Sequence, residues 1–366
     1  MTSASLFRPI AFYLPQFHPI PENDAVWGAG FTEWKNVTRA RSLFDGHYQP
    51  HLPADLGFYD LRVPEVREAQ AAMARQHGIY GFCYYHYWFN GRQVLERPLR
   101  EVMASGRPDF PFCVCWANEN WTRRWDGQES EIILEQKYSP EDDIAHIRAL
   151  IGCFSDPRYI TVHGKPLLLI YRLSRLPDPG ATVDLWRREL LRAGFSGLYV
   201  CNVESSESEH QLSRRYGLDA AVQFAPDWTA LPPRIYPTVR RLPFFRRQPV
   251  GPPFTDNYIG EYGPLARQML AKSNPGYKRF PGVTPGWDNT ARRRTDAIVL
   301  RNSTPEKYSL WLSDTLAAFT PDSPEENFLF INAWNEWAEG CHLEPCQKWG
   351  HRYLEATRDA LAAATR

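Results

Sequence analysis

The feature that most constrains how this chain can fold is its alternation of short apolar runs with amphipathic helical patterns. Eight runs have the length of strands, and they lie at residues 10–14, 80–85, 112–116, 167–171, 198–203, 220–224, 281–284 and from Phe328 onward. Helical patterns separate them, most clearly at residues 64–77, 141–151, 183–193, 262–271, 305–318 and 352–364. This alternation predicts an α/β fold, a (β/α)8 TIM barrel formed as one domain over residues 1–366.

Polar and aromatic residues follow the predicted strands and cluster at their carboxyl ends. Parallel barrel strands present this end at one face, where enzymes with this fold have their active sites. We therefore predict substrate-binding roles there for Tyr13, Gln16, His18, Trp27, Trp34, Tyr85, His86, Trp88, Trp116, Asn118, Trp121, Arg124, Asp126, Trp287, Asp288, Asn335 and Trp337. The aromatic members at strand ends are expected to line one groove. For Asp288 and Arg124 the alternative is a structural ion pair that joins two loops.

The run that begins at Phe328 leads into the densest of these clusters. It is followed by Asn335, Glu336, Trp337 and Glu339, and Gly340 then ends the regular structure. Carboxylates three residues apart point to opposite faces of a strand, but they can converge if the chain turns beyond Trp334. A carboxylate pair flanked by indole rings suits sugar chemistry, because acetal cleavage needs an acid and a base. The alternative is a strand end with solvated charges, and four functional side chains at one terminus favour a site.

Three loops on the predicted active-site face are too long for simple connections. They cover residues 18–60, 118–139 and 225–257. The last is a Pro/Arg-rich insertion with eight Pro and with Arg234, Arg240, Arg241, Arg246 and Arg247. It is either a basic lid over an anionic or phosphate-linked glycan or a stiffened, solvated loop.

Composition limits the partners of the chain. The 42 basic and 42 acidic residues balance, so nothing in the net charge favours nucleic acid or a membrane surface. Aromatic residues make up 14%, which favours a carbohydrate-facing cleft. The N-terminal residues show no signal peptide and no segment has the length of a membrane span, and the odd number of Cys indicates reduced thiols, so we expect a cytoplasmic protein of unspecified oligomeric state.

No cofactor or metal site is predicted. His47 and His51 have the spacing of metal ligands on a helix, but Pro50 breaks the helix that would align them. Gly28 and Gly30 do not form a dinucleotide-binding fingerprint, because Glu33 stands at the third position and no strand precedes them.

Four segments together resemble a known family. They lie at residues 11–18 (AFYLPQFH), 84–89 (YYHYWF), 116–121 (WANENW) and 335–340 (NEWAEG). Over nearly its whole length the chain is similar to the WbsX-like proteins, described as glycosyltransferases of polysaccharide biosynthesis. That family shares a domain similar to the family 99 glycoside hydrolases, which are (β/α)8 endo-acting α-mannosidases. The resemblance implies an oligosaccharide or polysaccharide substrate, with α-mannoside-like or α-rhamnoside-like linkages.

The resemblance also implies roles for two glutamates. Glu336 and Glu339 match the pair of the hydrolase motif, in which a base deprotonates the 2-hydroxyl of the substrate and an acid protonates the leaving group. By this resemblance Glu336 is expected to be the base and Glu339 the acid, and the intermediate is expected to be a 1,2-anhydro sugar. The hydrolases usually carry a histidine where this sequence has Ala338, so contacts near the acid are expected to differ.

Alternatives to this mechanism and to hydrolysis itself stay open. Glu119, after the third strand, is placed like the acid/base of other barrel glycosidases, and a Glu119 and Glu336 pair at roughly 5–5.5 Å would give an ordinary retaining mechanism. A glycosyltransferase of surface-polysaccharide (O-antigen) biosynthesis is the first alternative to a hydrolase. A non-catalytic glycan-binding barrel is the second.

Overall fold

The fold is a parallel barrel, seen in a computed structural model that describes residues 6–123, 128–235 and 252–365. Its strands are β1 (Arg8–Tyr13), β2 (Gly81–Phe89), β3 (Phe112–Trp116), β4 (Lys165–Ile170), β5 (Tyr199–Glu204), β6 (Ala220–Gln223), β7 (Arg279–Phe280 and Gly282–Val283) and β8 (Phe328–Ile331). Each strand pairs in parallel with its neighbour in the sequence. The predicted (β/α)8 architecture is confirmed.

Strand β7 closes the barrel although Pro281 interrupts it. Its first half pairs with β6 through Ala221 and Arg279, and its second half pairs with β8 through Gly282 and Phe330. Proline cannot donate to a strand ladder, so the two halves turn to different neighbours. Gly282 is required there, since a Cβ atom would lie 1.9 Å from the carbonyl oxygen of Gln223. The pairing of β8 with β1 completes the ring.

Eleven helices in the described residues cover or extend the barrel. They are α1 (Pro21–Trp27), α2 (Trp34–Arg39), α3 (Pro64–Gln76), α4 (Arg97–Ser105), α5 (Pro140–Phe154), α6 (Pro179–Arg192), α7 (Leu212–Arg215), α8 (Pro252–Asp256), α9 (Tyr262–Leu270), α10 (Pro305–Ala318) and α11 (Arg352–Ala364). Several begin with a capping residue followed by proline, as at Ser139, Asp178 and Thr304, whose side chains accept hydrogen bonds from the first helical turn.

The observed boundaries agree closely with the predicted ones where the apolar pattern is strong. Strand β3 and helices α10 and α11 have the predicted bounds. Helices α1, α2, α4, α7 and α8 were not predicted, and all of them are short helices within segments that connect the predicted elements. Strand β2 extends four residues beyond its predicted end, to Phe89, because it forms an antiparallel hairpin with Arg92–Val94.

Large aromatic rings fill the top of the barrel and leave room above them. Phe12 lies at the centre, with ring centroids of Tyr85, Phe224 and Phe330 at 5.6, 5.8 and 5.7 Å. Rings of this size plug the interior of an eight-stranded barrel, so a ligand can bind only above them, at the loops. Within the described residues, no helix is both long and apolar enough to cross a membrane.

Candidate active site

An open cleft of about 820 Å³ lies at the carboxyl ends of the barrel strands. Its floor includes Tyr85, Tyr171 and Phe224 from strands β2, β4 and β6, or the residues just after them. Its walls come from the loops after β1, β3, β4, β6 and β7. The long loops identified in the sequence therefore surround the cleft, as far as they are described.

Three carboxylates surround a single guanidinium beside the cleft. Arg292 contacts Glu33 at 3.1 Å, Glu336 at 3.0 Å and Glu339 at 2.6 Å. The exposed fractions of the carboxylate side chains are 0% for Glu33, 6% for Glu336 and 21% for Glu339. Glu339 is therefore the member most open to the cleft, and Glu33 is a fully buried support. We call these four residues the carboxylate cluster.

The chain turns after β8 in the way that brings the two glutamates together. Asn335 and Glu336 pair in an antiparallel bridge with Cys341 and His342, and a single 3-10 turn lies between them. Asn335 locks this segment to β1, since its side chain accepts from the backbone N–H of Leu14 at 2.7 Å and donates to its carbonyl at 3.0 Å. The carboxylates of Glu336 and Glu339 consequently bind two nitrogens of the same guanidinium.

The electrostatics of the carboxylate cluster favour retention of protons. Burial, together with the charges of Glu339 and Glu33, raises the pKa of Glu336 to about 8 against the opposing effect of Arg292. Burial likewise raises the pKa of Glu33 despite its bond to Arg292. One cation cannot neutralise three anions in a site with little water, so the cluster holds a proton near neutral pH. A shared proton beside a carboxylate is the requirement for general acid–base chemistry.

A second group of charged residues that line the cleft consists of Glu119 and Arg172. Their side chains form an ion pair at 3.2 Å, and 35% of the Glu119 side chain is exposed. The main chain of Arg172 is fixed by Asn118, whose amide accepts from its N–H and donates to its carbonyl, both at 2.8 Å. Glu119 therefore has its own cation and access to water, unlike the glutamates of the carboxylate cluster.

Nine of the residues predicted from the sequence line the cleft or its carboxylate cluster. They are Gln16, Trp27, Tyr85, Asn118, Glu119, Trp121, Trp287, Glu336 and Glu339. The side-chain oxygen of Gln16 is buried and has no hydrogen-bond partner among the described residues. Trp287 packs edge-on against Trp228 at 5.0 Å, and both rings border the cleft.

Nine other predicted residues are buried and do not line the cleft. They are Tyr13, His18, Trp34, His86, Trp88, Trp116, Asp288, Asn335 and Trp337. The expectation that the aromatic residues at strand ends line one groove is therefore wrong for Trp34, Trp88 and Trp116, and a substrate-binding role for the others stays a prediction. On β2 the cause is the alternation of side chains along a strand: Tyr85 and Tyr87 face the cleft, whereas His86 and Trp88 face the helices. There Trp88 stacks on His146 and donates to Asp142 at 3.0 Å.

The tryptophans expected to flank the glutamates are also interior residues. Trp337 stacks on His342 at 3.7 Å and donates to Glu344 at 2.7 Å, and Trp334 packs on Phe82 at 5.1 Å. Trp34, in the loop after β1, packs against Trp337 with ring centroids 5.6 Å apart. These rings support the loop that carries the glutamates, and they do not offer a face to a ligand.

Asp288 has a structural role, which was the alternative to sugar binding, but its partner is His47 and not the expected Arg124. Its carboxylate binds His47 at 2.6 Å and does not border the cleft. Arg124 and Asp126 lie outside the described residues, as do Arg240, Arg241, Arg246 and Arg247 of the 225–257 insertion. Arg234 is described and donates to the carbonyls of Phe254, Thr255 and Asn257.

Sequence reasoning missed six residues that matter here: Glu33, Tyr87, Tyr171, Arg172, Trp228 and Arg292. Tyr171 and Tyr87 follow from the alternation along their strands, which gives a usable signal. Arg292 lies four residues beyond Asp288, in a segment already noted for its polar residues. Glu33 gave no signal, because only the folded loop shows that it is buried.

Comparison with known proteins identifies the family. Residues 9–357 match the family model described as glycosyltransferase WbsX. The chain belongs to the WbsX glycosyltransferase family. This is a family of carbohydrate-active enzymes. A protein named uncharacterized protein WxcX, from two strains of Xanthomonas campestris pv. campestris, is 43% identical over 356 residues, which is 97% of this chain and 50% of that protein. The chain thus spans about half the length of these curated relatives.

Solved structures extend the likeness at the level of the fold. An endo-alpha-mannosidase of family 99 from Bacteroides thetaiotaomicron superposes with a TM-score of 0.56 at 17% identity, covering 98% of this chain and 97% of that one. A protein described as glycoside hydrolase-like gives a TM-score of 0.59 at 12% identity, covering 99% and 95%. At these identities the comparison shows a shared barrel fold.

Proposed function

We propose that this WbsX-family barrel is a retaining glycoside hydrolase that cleaves α-mannoside-like or α-rhamnoside-like linkages in a bacterial-type polysaccharide. The observation that carries the proposal is the binding of Glu336 and Glu339 by one guanidinium in an aromatic-floored cleft. Two neighbouring carboxylates can supply an acid and a base side by side, and the aromatic floor suits the apolar face of a sugar ring.

In the proposed reaction the sugar itself supplies the nucleophile. Ionised Glu336 takes the proton of the 2-hydroxyl, whose oxygen attacks the anomeric carbon while the bond to the leaving oxygen breaks and Glu339 gives that oxygen its proton. Water then opens the 1,2-anhydro sugar: Glu339 takes a proton from the water, and Glu336 returns one to the 2-oxygen. Arg292 stays hydrogen-bonded to both glutamates and limits the charge that builds up on either.

This route sets the configuration of the substrate. The 2-hydroxyl must lie opposite the leaving oxygen, as it does in α-mannosides and α-rhamnosides but not in α-glucosides. A 2-deoxy analogue is expected to bind, with about 1–3 kcal/mol lost from an unpaired polar contact, but not to react.

The test uses a 2-fluoro glycosyl donor and mass spectrometry of the intact protein. The proposal predicts no covalent adduct, because no protein atom bonds to the anomeric carbon. A glycosyl group on Glu119 or Glu336 would overturn the 2-hydroxyl route and support the ordinary retaining pair. An α-mannoside and its α-glucoside counterpart serve as matched substrates, and equal turnover of the two would contradict the proposal.

A glycosyltransferase is the second candidate, and the family description favours it. The same carboxylates could pass the activated sugar to a hydroxyl of a growing glycan. Arg172 and Arg175, which also line the cleft, suit an anionic leaving group. Isotope-labelled water separates the two candidates: a hydrolase incorporates the label at the anomeric carbon, whereas a transferase incorporates the acceptor.

A further inference from the structure

The position of Arg292 depends on a short turn rather than on a strand. The turn covers Asn289–Ala291 and begins at Asp288, whose carboxylate accepts from the N–H of Thr290 at 3.0 Å and from its hydroxyl at 2.6 Å. The carbonyl of Asn289 accepts the N–H of Arg292 at 3.0 Å. The direction of the guanidinium is therefore set by how firmly Asp288 holds the turn.

Asp288 also binds the segment that carries the acid. Its N–H donates to the carbonyl of Glu339 at 2.7 Å. The next residue, Gly340, has φ +60°, and a Cβ atom on it would lie 3.0–3.1 Å from Asp288. A glycine is needed at that contact, since a side chain would push the two segments apart. Asp288 thus connects the Arg292 turn to the Glu339 backbone.

The remaining oxygen of Asp288 accepts a hydrogen bond from His47, a residue 241 positions away in the sequence. The backbone N–H of Leu43 donates to Nδ1 of His47 at 2.9 Å, so this nitrogen carries no proton. The proton is therefore on Nε2, which donates to Asp288 at 2.6 Å. Phe44 stacks on the imidazole at 4.6 Å and holds its plane.

We propose that His47 is a positioning residue of the active site, which fixes Asp288 and thereby holds Arg292 between Glu336 and Glu339. The hydrogen bond also keeps Asp288 charged: burial raises the pKa of this carboxyl, but the bonds from His47 and Thr290 bring it below its ordinary value. His47 itself does not border the cleft. The catalytic part of this inference rests on the proposed function, whereas the positioning part does not.

Two substitutions of His47 separate this role from simple anchoring of the loop. In His47→Gln the amide nitrogen can replace Nε2 and donate to Asp288, but the acceptor for Leu43 is lost. In His47→Asn the side-chain oxygen can replace Nδ1 and accept from Leu43, but the donor to Asp288 is lost. Positioning predicts that His47→Asn loses roughly 10²-fold in kcat with little change in KM, the order expected for a catalytic group misplaced by about 1 Å, and that His47→Gln stays close to wild type.

An infrared titration of the ligand-free protein provides a readout that does not need turnover. The band of the protonated Glu336 carboxyl is identified by its absence in Glu336→Gln. The groups that face Glu336 are Arg292, Glu33, Glu339, the hydroxyls of Tyr85 and Tyr87, and the thiol of Cys341. Since Arg292 is the only cation among them, its displacement in His47→Asn should move the titration of Glu336 to higher pH. His47→Gln should leave the titration in place.

The outcomes distinguish the positioning from the proposed function. A titration shift in His47→Asn supports the positioning role of His47. If the wild-type protein turns over no glycan but the shift is still seen, the positioning role stands and the hydrolase proposal fails. An unshifted titration in folded His47→Asn, or a greater loss in His47→Gln, would overturn the inference. If His47→Asn does not fold by circular dichroism, Thr290→Val replaces it: this variant removes a donor to Asp288 on the turn side and predicts a smaller shift of the same sign.

Discussion

Two groups of charged residues in the cleft contain the same residue types, glutamate and arginine, in different environments. In the carboxylate cluster one guanidinium serves three carboxylates, and the three are between 0% and 21% exposed. In the second group Glu119 has its own arginine and is 35% exposed. The difference shows that the ratio of carboxylates to cations, together with burial, sets the charge balance around Glu336 and raises its pKa.

The largest expected effect is on turnover. Glu336→Gln keeps the shape of the side chain but cannot exchange a proton, and we expect a loss of about 10²–10⁴-fold in kcat. Glu119→Gln is the matched control outside the carboxylate cluster, and we expect it to change kcat by less than about threefold, because its carboxylate is neutralised by Arg172 and solvated. Steady-state rates on an α-mannoside glycan check both. A large loss of kcat in Glu119→Gln and a small one in Glu336→Gln would assign the acid–base role to Glu119 instead.

The next effect is on stability, and it compares the two arginines. Arg292→Gln leaves Glu33 and Glu336 buried without a cation, and we expect a loss of about 3–5 kcal/mol in the free energy of unfolding at pH 8. Arg172→Gln removes a partly exposed ion pair and should cost about 1 kcal/mol or less. Urea unfolding at pH 8 measures both. Equal losses would show that the two arginines do not differ in burial as described.

The Arg292→Gln loss should shrink at pH 5. The carboxylates left behind can then bind protons instead of remaining charged, which removes most of the penalty. A loss that stays constant between pH 5 and pH 8 would mean that packing of the guanidinium, rather than its charge, stabilises the cluster.

A more gradual effect is the dependence of stability on pH. The folded-state pKa of Glu336 is raised to about 8, mainly by burial, whereas the pKa of an unfolded glutamate is near 4.5. Its contribution to stability is therefore fully present below pH 4.5 and is lost as the pH rises through 8, with a slope of at most about 1.4 kcal/mol per pH unit. Unfolding curves from pH 5 to 9 should show this slope in wild type and Glu119→Gln but not in Glu336→Gln.

The same pKa assigns the role of Glu336 in the reaction. If Glu336 is the base, kcat/KM rises with pH by up to about tenfold per unit until pH 8, as the carboxylate becomes ionised. If Glu336 were the acid, kcat/KM would fall above pH 8 instead. Glu119→Gln should leave this pH dependence of kcat/KM unchanged.

The sequence by itself determined the barrel and the position of the glutamate pair proposed to be catalytic. Eight apolar runs separated by helical patterns can close in few ways, and parallel strands bring their carboxyl ends to one face. Glu336 and Glu339 could be identified because they are close in sequence, immediately after a buried strand. Proximity along the chain made their proximity in space predictable.

Tertiary structure alone decided what surrounds the pair. Arg292, Glu33 and His47 come from different loops, and their convergence depends on how long segments pack, which no local pattern encodes. The pleat of each strand decided whether an aromatic residue faces the cleft, as Tyr85 does, or the helices, as Trp88 does. Residue type predicted the chemistry of the site, but the charge balance that raises the pKa of Glu336 arises only from burial and neighbours, which exist once the chain has folded.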